Sequence, residues 1–297
     1  MTSPARWPFI MIIVGAAALA GFTLVAAQVS RASAQAQAAQ AREAKVKAEE
    51  AAASQSKEAQ AAREAAVRAQ AEARSALARA AAAARGEPVT LDLSKYLAMK
   101  PEDFEKSKQY PWPVTPRGKQ TFAGVPLEIQ GATMLWGKRN ADRGQKFPEM
   151  LTDIPCQQKF ETLYILHCVF FEAAKGEPAF GIILNYEDGK IQNDEILCGD
   201  DSKDWWINDP DEVPGPSGKR STLAWTGTGK ANDRDQDVRF CLTAIDNKHP
   251  DRLVKTIDLV SSRKQSAGVI LAITLGKAGL LKPRPEKPDK PAQAKDE

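Results

Sequence analysis

The sequence predicts a mainly β protein: an antiparallel β-sandwich preceded by a transmembrane helix and a long alanine-rich helix. Three observations carry that expectation. No charged residue occurs from Trp7 to Ser30. The tract that follows is built from alanine and charged helix formers. Beyond Val89 the pattern changes to short apolar runs with period-two alternation, which is the spacing of strands. Four segments result: an anchor or signal segment over 1–30, a helical stalk over 31–87, a β domain over 88–282 and a Pro/Lys-rich tail over 283–297.

The first segment has two readings. Its uncharged run is long enough to cross the roughly 30 Å hydrocarbon core of a bilayer as a helix. Arg6 and the small residues Val25-Ala26-Ala27 before Gln28 also fit a signal peptide and its cleavage site. An h-region is expected to be only about 7 to 15 residues long, so the length favours a retained anchor with the rest of the chain extracytoplasmic. Arg31, Arg42, Lys45 and Lys47 pull the other way, because the positive-inside rule would keep their side in the cytoplasm. Secretion or periplasmic release after cleavage is the alternative.

From Ala32 to Arg85 the residues are mostly Ala, Gln, Glu, Lys and Arg, with no Pro or Gly, and a single helix follows. Its 54 or so residues would reach about 80 Å. Glu43 with Lys47 and Glu64 with Arg68 are spaced to pair on one face. Gly86 and Pro88 end it. Only Val46, Val67 and Leu77 are sizeable apolar residues, so the tract suits a solvated spacer, with no more than weak homo-oligomerisation through the stalk. The tail from Lys282 alternates proline with charge and reads as extended or disordered.

About 190 residues remain, enough for one well-buried domain. A short helix is expected between Asp92 and Ser107. Strands are expected at Val125–Ile129, Leu163–Phe171, Phe180–Tyr186, Ser221–Trp225, Val238–Ile245, Leu253–Leu259 and Val269–Leu275. Asp188-Gly189 suits a tight hairpin turn, and Pro214-Gly215-Pro216 a loop. Amphipathic helices between the strands are absent, which removes the crossovers a parallel sheet needs.

The chain's 41 basic and 38 acidic residues leave a net charge of +3 without a basic stripe, which argues against nucleic acid as a partner. His-Glu-x-x-His, Gly-x-Ser-x-Gly and Cys-x-x-Cys do not occur. Gly218-Lys219 and Gly229-Lys230 lack the upstream glycine of a phosphate loop and read as turn glycines. His167, inside an apolar strand, reads as a hydrogen-bonded structural histidine, and His249 as a loop residue. Cys156, Cys168, Cys198 and Cys241 allow three disulfide pairings or burial as free thiols.

The densest polar cluster runs from Gly199 to Trp206. Asp200, Asp201 and Asp204 offer carboxylate oxygens, and Trp205 and Trp206 offer flat faces for a sugar ring. These five residues are the candidate ligand site. Calcium ligation by the three aspartates competes with their use as turn caps, and no cofactor is implied. One of two consecutive tryptophans in a strand must point inward. Trp225 reads as core.

Phe122-Ala-Gly-Val-Pro-Leu127, Leu163-Tyr-Ile-Leu-His167, Tyr186-Glu-Asp-Gly189, Gly199-Asp-Asp-Ser-Lys-Asp-Trp-Trp206, Ala224-Trp-Thr-Gly227 and Leu271-Ala-Ile-Thr274 occur in that order. Together they resemble a family of uncharacterised bacterial extracytoplasmic domains related to galactose-binding-like (discoidin-like) modules. The resemblance spans roughly Val114 to Leu275 and implies a jelly-roll form of the sandwich and binding of a glycan or an envelope protein. Three function classes follow: a membrane-tethered, non-catalytic binding module, a structural or scaffold protein of the cell envelope, and, with least support from motifs, an enzyme.

Overall fold

The computed structural model describes residues 10–106, 112–209 and 212–282, with backbone alone for residues 10–27, 29 and 84. The chain divides into two compact units, Met1–Arg74 and Ser75–Glu297. Helix α1 runs from Ile10 to Ala84. Every side chain from Ser30 to Ala78 is exposed, as expected of a tract with no apolar stripe. Both foreseen ion pairs form, Lys47 with Glu43 at 2.7 Å and Arg68 with Glu64 at 3.8 Å. The helix ends in a Schellman motif: Glu87 N–H donates to the Ala82 carbonyl, Gly86 N–H donates to that of Ala83, and Gly86 adopts φ +70°. Among the described residues no helix is long and apolar enough to cross a membrane. The side chains of residues 7–27, which carry the expected anchor, lie outside the described ones, as does the tail 283–297.

The second unit is mainly β. Its strands are β1 (Val89–Thr90), β2 (Gly118–Phe122), β3 (Val125–Ile129), β4 (Thr133–Met134), β5 (Met150–Gln158), β6 (Thr162–Phe170), β7 (Pro178–Tyr186), β8 (Ile191–Leu197), β9 (Trp206–Ile207), β10 (Ser221–Ala231), β11 (Arg234–Asp246), β12 (Val254–Ser261) and β13 (Ala267–Gly276). One sheet has the order β1-β13-β6-β11-β10, with β4 also on β13 and β9 also on β11. A second has the order β5-β12-β7-β8, and β2-β3 form a separate hairpin. All of these strand pairings are antiparallel.

Strand β6 explains the arrangement. Every residue from Thr162 to Val169 is buried, so both faces of the strand must be covered. Leu163, Ile165 and Val169 join a core cluster with Ile182 and Leu184 of β7 and Ile257 and Leu259 of β12, which lies between the two sheets. Tyr164, Leu166 and Cys168 face the other way, into a cluster with Val125, Leu127 and Ile129 of the hairpin and with Phe104, Trp112 and Trp205. The continuous apolar run of this segment is the sequence signature of that double burial.

His167 points into the inter-sheet space, edge-on to Phe180 with ring centroids 5.5 Å apart. Its Nδ1 lies 3.1 Å from Ser202 Oγ and its Nε2 2.8 Å from Thr243 Oγ1, so the structural role holds. The Asp188-Gly189 turn joins β7 to β8, with Gly189 at φ +81°. His249 lies in the loop between β11 and β12.

Several expectations need correction. The region expected to form one helix from Asp92 holds two short pieces, a 3-10 turn at Ser94–Tyr96 and α2 at Pro101–Phe104, and Ser107 lies outside the described residues. Strand β10 continues past Trp225 to Ala231 and places Gly229 in a strand, not a turn. Asn232 and Asp233, at φ +48° and +64°, make the tight turn into β11. Of the two alternatives left open for the cysteines, burial as free thiols is the one found, for all four. Burial raises the Cys156 and Cys241 thiols to about 12, which leaves them chemically quiet.

Candidate functional site

The polar segment from Gly199 to Trp206 splits in two. Its first half is a closed scaffold. Asp200 accepts from Ser217 Oγ at 2.8 Å and pairs with Lys175 at 3.3 Å, contacts that hold its carboxyl below the ordinary value. Asp201 is buried; burial alone would raise its pKa, but the Arg220 guanidinium, donating at 2.9 and 2.7 Å, lowers it. Ser221 Oγ and Leu197 N–H also donate to Asp201. Its acceptor capacity is spent on tying β8, β10 and the 199–202 turn together. Among the described residues no three His, Cys, Asp or Glu side chains are grouped to hold a metal ion.

The second half is different. Lys203 C=O accepts from Val169 N–H, and Trp205 N–H donates to Val169 C=O, which docks residues 203–205 against β6. On the other side Arg239 N–H donates to Trp205 C=O. Arg239 is only 1 % exposed, and its guanidinium donates to the carbonyls of Asp204 at 2.7 Å, Trp206 at 2.8 Å and Pro214 at 3.2 Å. Glu212 neutralises it at 3.1 Å and also pairs with Lys203. A buried arginine satisfied by carbonyls and one carboxylate fixes this backbone in a single geometry. The alternation Asp237-Val238-Arg239-Phe240 gave no hint of it.

Held in this way, the two tryptophans diverge. Trp205 is fully buried, stacked on Trp112 with centroids 4.7 Å apart and edge-on to Phe170 at 5.7 Å. Trp206 stays half-buried beside it at 4.6 Å. Asp204 accepts from Glu172 N–H and Trp206 N–H, while Asp204 N–H donates to the Glu172 carboxylate. Burial pushes the Asp204 carboxyl above its ordinary value despite those donors.

Asp204, Trp205 and Trp206 line a cavity of about 30 Å³ together with Phe170, Phe171, Asn140 and Gln145. Asn140 and Gln145 are the residues that sequence reasoning missed. Both belong to the turn built by α3 (Lys138–Ala141), where Gln145 N–H donates to the Asn140 carbonyl. Gly137 precedes that helix, and a Cβ there would lie 2.6 Å from Ala267 N, so only glycine lets α3 sit against β13. Asn140 is 2 % exposed; its Nδ2 donates to Gln145 Oε1, while its Oδ1 has no hydrogen-bond partner. Phe171 adopts φ +58°, a left-handed conformation that is rare and strained for an aromatic residue. The guanidinium of Arg143 lies 4.1 Å from its ring centroid and that of Arg139 5.6 Å.

Of the five expected residues, the cavity therefore gathers Asp204, Trp205 and Trp206 and leaves out Asp200 and Asp201. Two roomier depressions, about 340 and 510 Å³, are lined largely by Lys, Glu, Gln, Pro and Thr side chains and lack a tryptophan. Trp225 is partly buried and stacks on Phe240 at 5.1 Å, away from the residues that line the cavity. Compared with known protein families and with curated proteins, the chain matches none.

Proposed function

We propose that this chain is a membrane-tethered extracytoplasmic binding module, directed at glycans and non-catalytic. One observation carries the reading: a partly buried tryptophan, a partly buried carboxylate and two amide-bearing side chains line one small aromatic-walled cavity. Planar polar groups beside an aromatic face suit sugars, whose rings alternate hydroxyls with C–H faces. Among the residues described as lining the cavity Asp204 is the lone carboxylate and none is a serine, cysteine or histidine; the neighbouring Glu172 carboxylate is engaged by Asp204 N–H at 3.0 Å.

The strand order supports a jelly-roll sandwich. The set β1-β13-β6-β11 facing β5-β12-β7-β8 alternates between sheets as two Greek keys do, with β10 as an added edge strand. That arrangement agrees with the resemblance to galactose-binding-like modules. The uncharged run from Trp7 to Ser30 supports tethering, and the near-balanced charge argues against a nucleic-acid partner.

The test is a glycan array probed with the full chain in detergent, alongside Trp206→Ala. Binding to a defined set of glycans that Trp206→Ala abolishes is expected. An array with no signal would overturn the reading. A scaffold role in the cell envelope is the second reading, favoured by the exposed side chains of α1 from Ser30 to Ala78. A stable oligomer in sedimentation equilibrium would support it over weak or absent self-association.

A further inference from the structure

The surface beside the cavity bears on the charge of the ligand, and this step rests on the glycan-directed reading. We infer that the glycan is acidic, its carboxylates taken up by Arg139 and Arg143 where the two side chains rest on Phe171.

The fold builds a basic patch that no single stretch of sequence announces. Residues 138–149 and 262–265 together hold six basic residues and two acidic ones, in a chain whose net charge is +3. Lys138 N–H donates to Lys264 C=O and Arg139 N–H to Gln265 C=O, which joins the two segments side by side. Half of the six cations have partners: Lys138 pairs with Asp142 at 2.9 Å, Arg263 with Glu149 at 2.7 Å, and Lys264 with Glu177 at 3.9 Å. Arg139, Arg143 and Lys146 are exposed, and among the described residues no carboxylate pairs with any of them. Charge without a partner gathers here, where an anion would find it.

Phe171 organises that charge. The Arg143 and Arg139 guanidiniums lie 4.1 and 5.6 Å from the centroid of this one ring. The ring is presented from a left-handed backbone at φ +58°, a strain that persists where the surroundings over-determine it. An arginine resting on an aromatic ring loses less freedom when it binds and keeps its N–H fork for an acceptor, and a carboxylate matches that fork. Phe171 also ties the patch to the cavity, which it lines together with the partly buried Trp206. A polymer of sugar rings that carry carboxylates supplies both a face for the tryptophan and an anion for the arginines. A lipid surface fits less well, because Met150 is the one exposed large apolar side chain in or next to these segments among the described residues.

The test is calorimetric titration of the full chain in nonionic detergent with polygalacturonate, alginate and hyaluronan, each beside its carboxyl-reduced form, in which every carboxylate has become a neutral hydroxymethyl. At least one acidic polymer should bind about tenfold or more tighter than its reduced form. Raising salt from about 50 to 200 mM should narrow that gap. The double variant Arg139→Gln with Arg143→Gln, both at exposed positions, should close it without shifting the melt. Lys255→Gln, exposed on β12 of the other sheet, should leave the gap intact, which separates a site from net charge. Equal binding of acidic and reduced polymers overturns the acidic assignment and leaves the glycan-directed reading standing. A gap that survives the double variant, or closes equally in Lys255→Gln, overturns the assignment to the two arginines. Failure of every polymer overturns the inference, and the array then decides separately whether any glycan is bound. A DNA duplex or a soluble short-chain phosphatidylglycerol that binds as tightly as the best polymer, through the same arginines, overturns the choice of a polysaccharide.

Discussion

Acidification from pH 7 to 4.5 should destabilise this protein through one residue, His167. Its imidazole is fully buried between the sheets, and burial lowers its pKa from 6.5 to about 3. Asp201 opposes that shift and Arg220 reinforces it, both weaker than burial. In the unfolded chain the ring takes up a proton near pH 6.5, whereas in the folded state it stays neutral until about pH 3. Between those values the unfolded state binds more protons, so stability falls as pH falls. The slope is about 1.4 kcal/mol per pH unit, so at pH 4.5 the loss is about 2.7 kcal/mol. Against a typical total of 5–15 kcal/mol this is a large fraction. Carboxylates held low, such as Asp201, act only nearer their unfolded value of 3.8, and Asp204, raised by burial, works in the opposite direction. The assay is urea denaturation at half-unit steps from pH 7 to 4.5, on wild type and His167→Gln. Wild type should lose about 2.7 kcal/mol over that range and the variant far less. Equal losses in the two proteins would refute the assignment to His167.

Residues 89–282 should unfold cooperatively on their own, because the core clusters draw only on residues from Val89 to Leu281; a non-cooperative melt would count against an independent domain. Trp205→Ala should cost about 3–5 kcal/mol in a thermal or urea melt, because its ring is fully buried in an aromatic stack. Trp206→Ala should cost less than Trp205→Ala in the same melt, because its ring is only partly buried, and equal destabilisation by the two would place Trp206 in the core. A maleimide reagent should label none of the four cysteines in the native protein and all four in denaturant, as mass spectrometry would read; a missing label after denaturation without reductant would reveal a disulfide.

The strands legible in the sequence are those with a continuous apolar run, such as β6 and β13, or a clear alternation of apolar residues, such as β3, β7 and β12. β3 matches its expected bounds, and β6, β7, β11, β12 and β13 were placed to within a few residues. The strands that went unseen are short, exposed or irregular: β1, β4 and β9 have two residues each, and β2 buries none of its five. β5 carries Pro155 and left-handed kinks at Asp153 and Gln157, which break any alternation, and β8 holds the consecutive polar run Gln192-Asn193-Asp194-Glu195. The Asp/Trp segment announced itself by composition, yet composition could not separate Asp201, spent on Arg220, from Asp204 at the cavity. Asn140 and Gln145 lie some sixty residues earlier in an ordinary polar turn, and tertiary contacts bring them to Asp204: β4 pairs with β13, and the N–H groups of Lys138 and Arg139 donate to the Lys264 and Gln265 carbonyls.

Gly137 sets a limit on how this chain can change. Because a Cβ at 137 would meet the backbone of Ser266 and Ala267 at 2.6–2.7 Å, substitution there must lift α3 away from the strand beneath it. Asn140 would move with the helix, three residues from the altered position and without any change to the cavity lining itself. Two copies that differ at residue 137 alone could therefore present the same seven lining side chains and yet differ in what they hold, so comparison of lining residues alone would miss the change. A glycine outside the cavity thus sets the position of a side chain inside it.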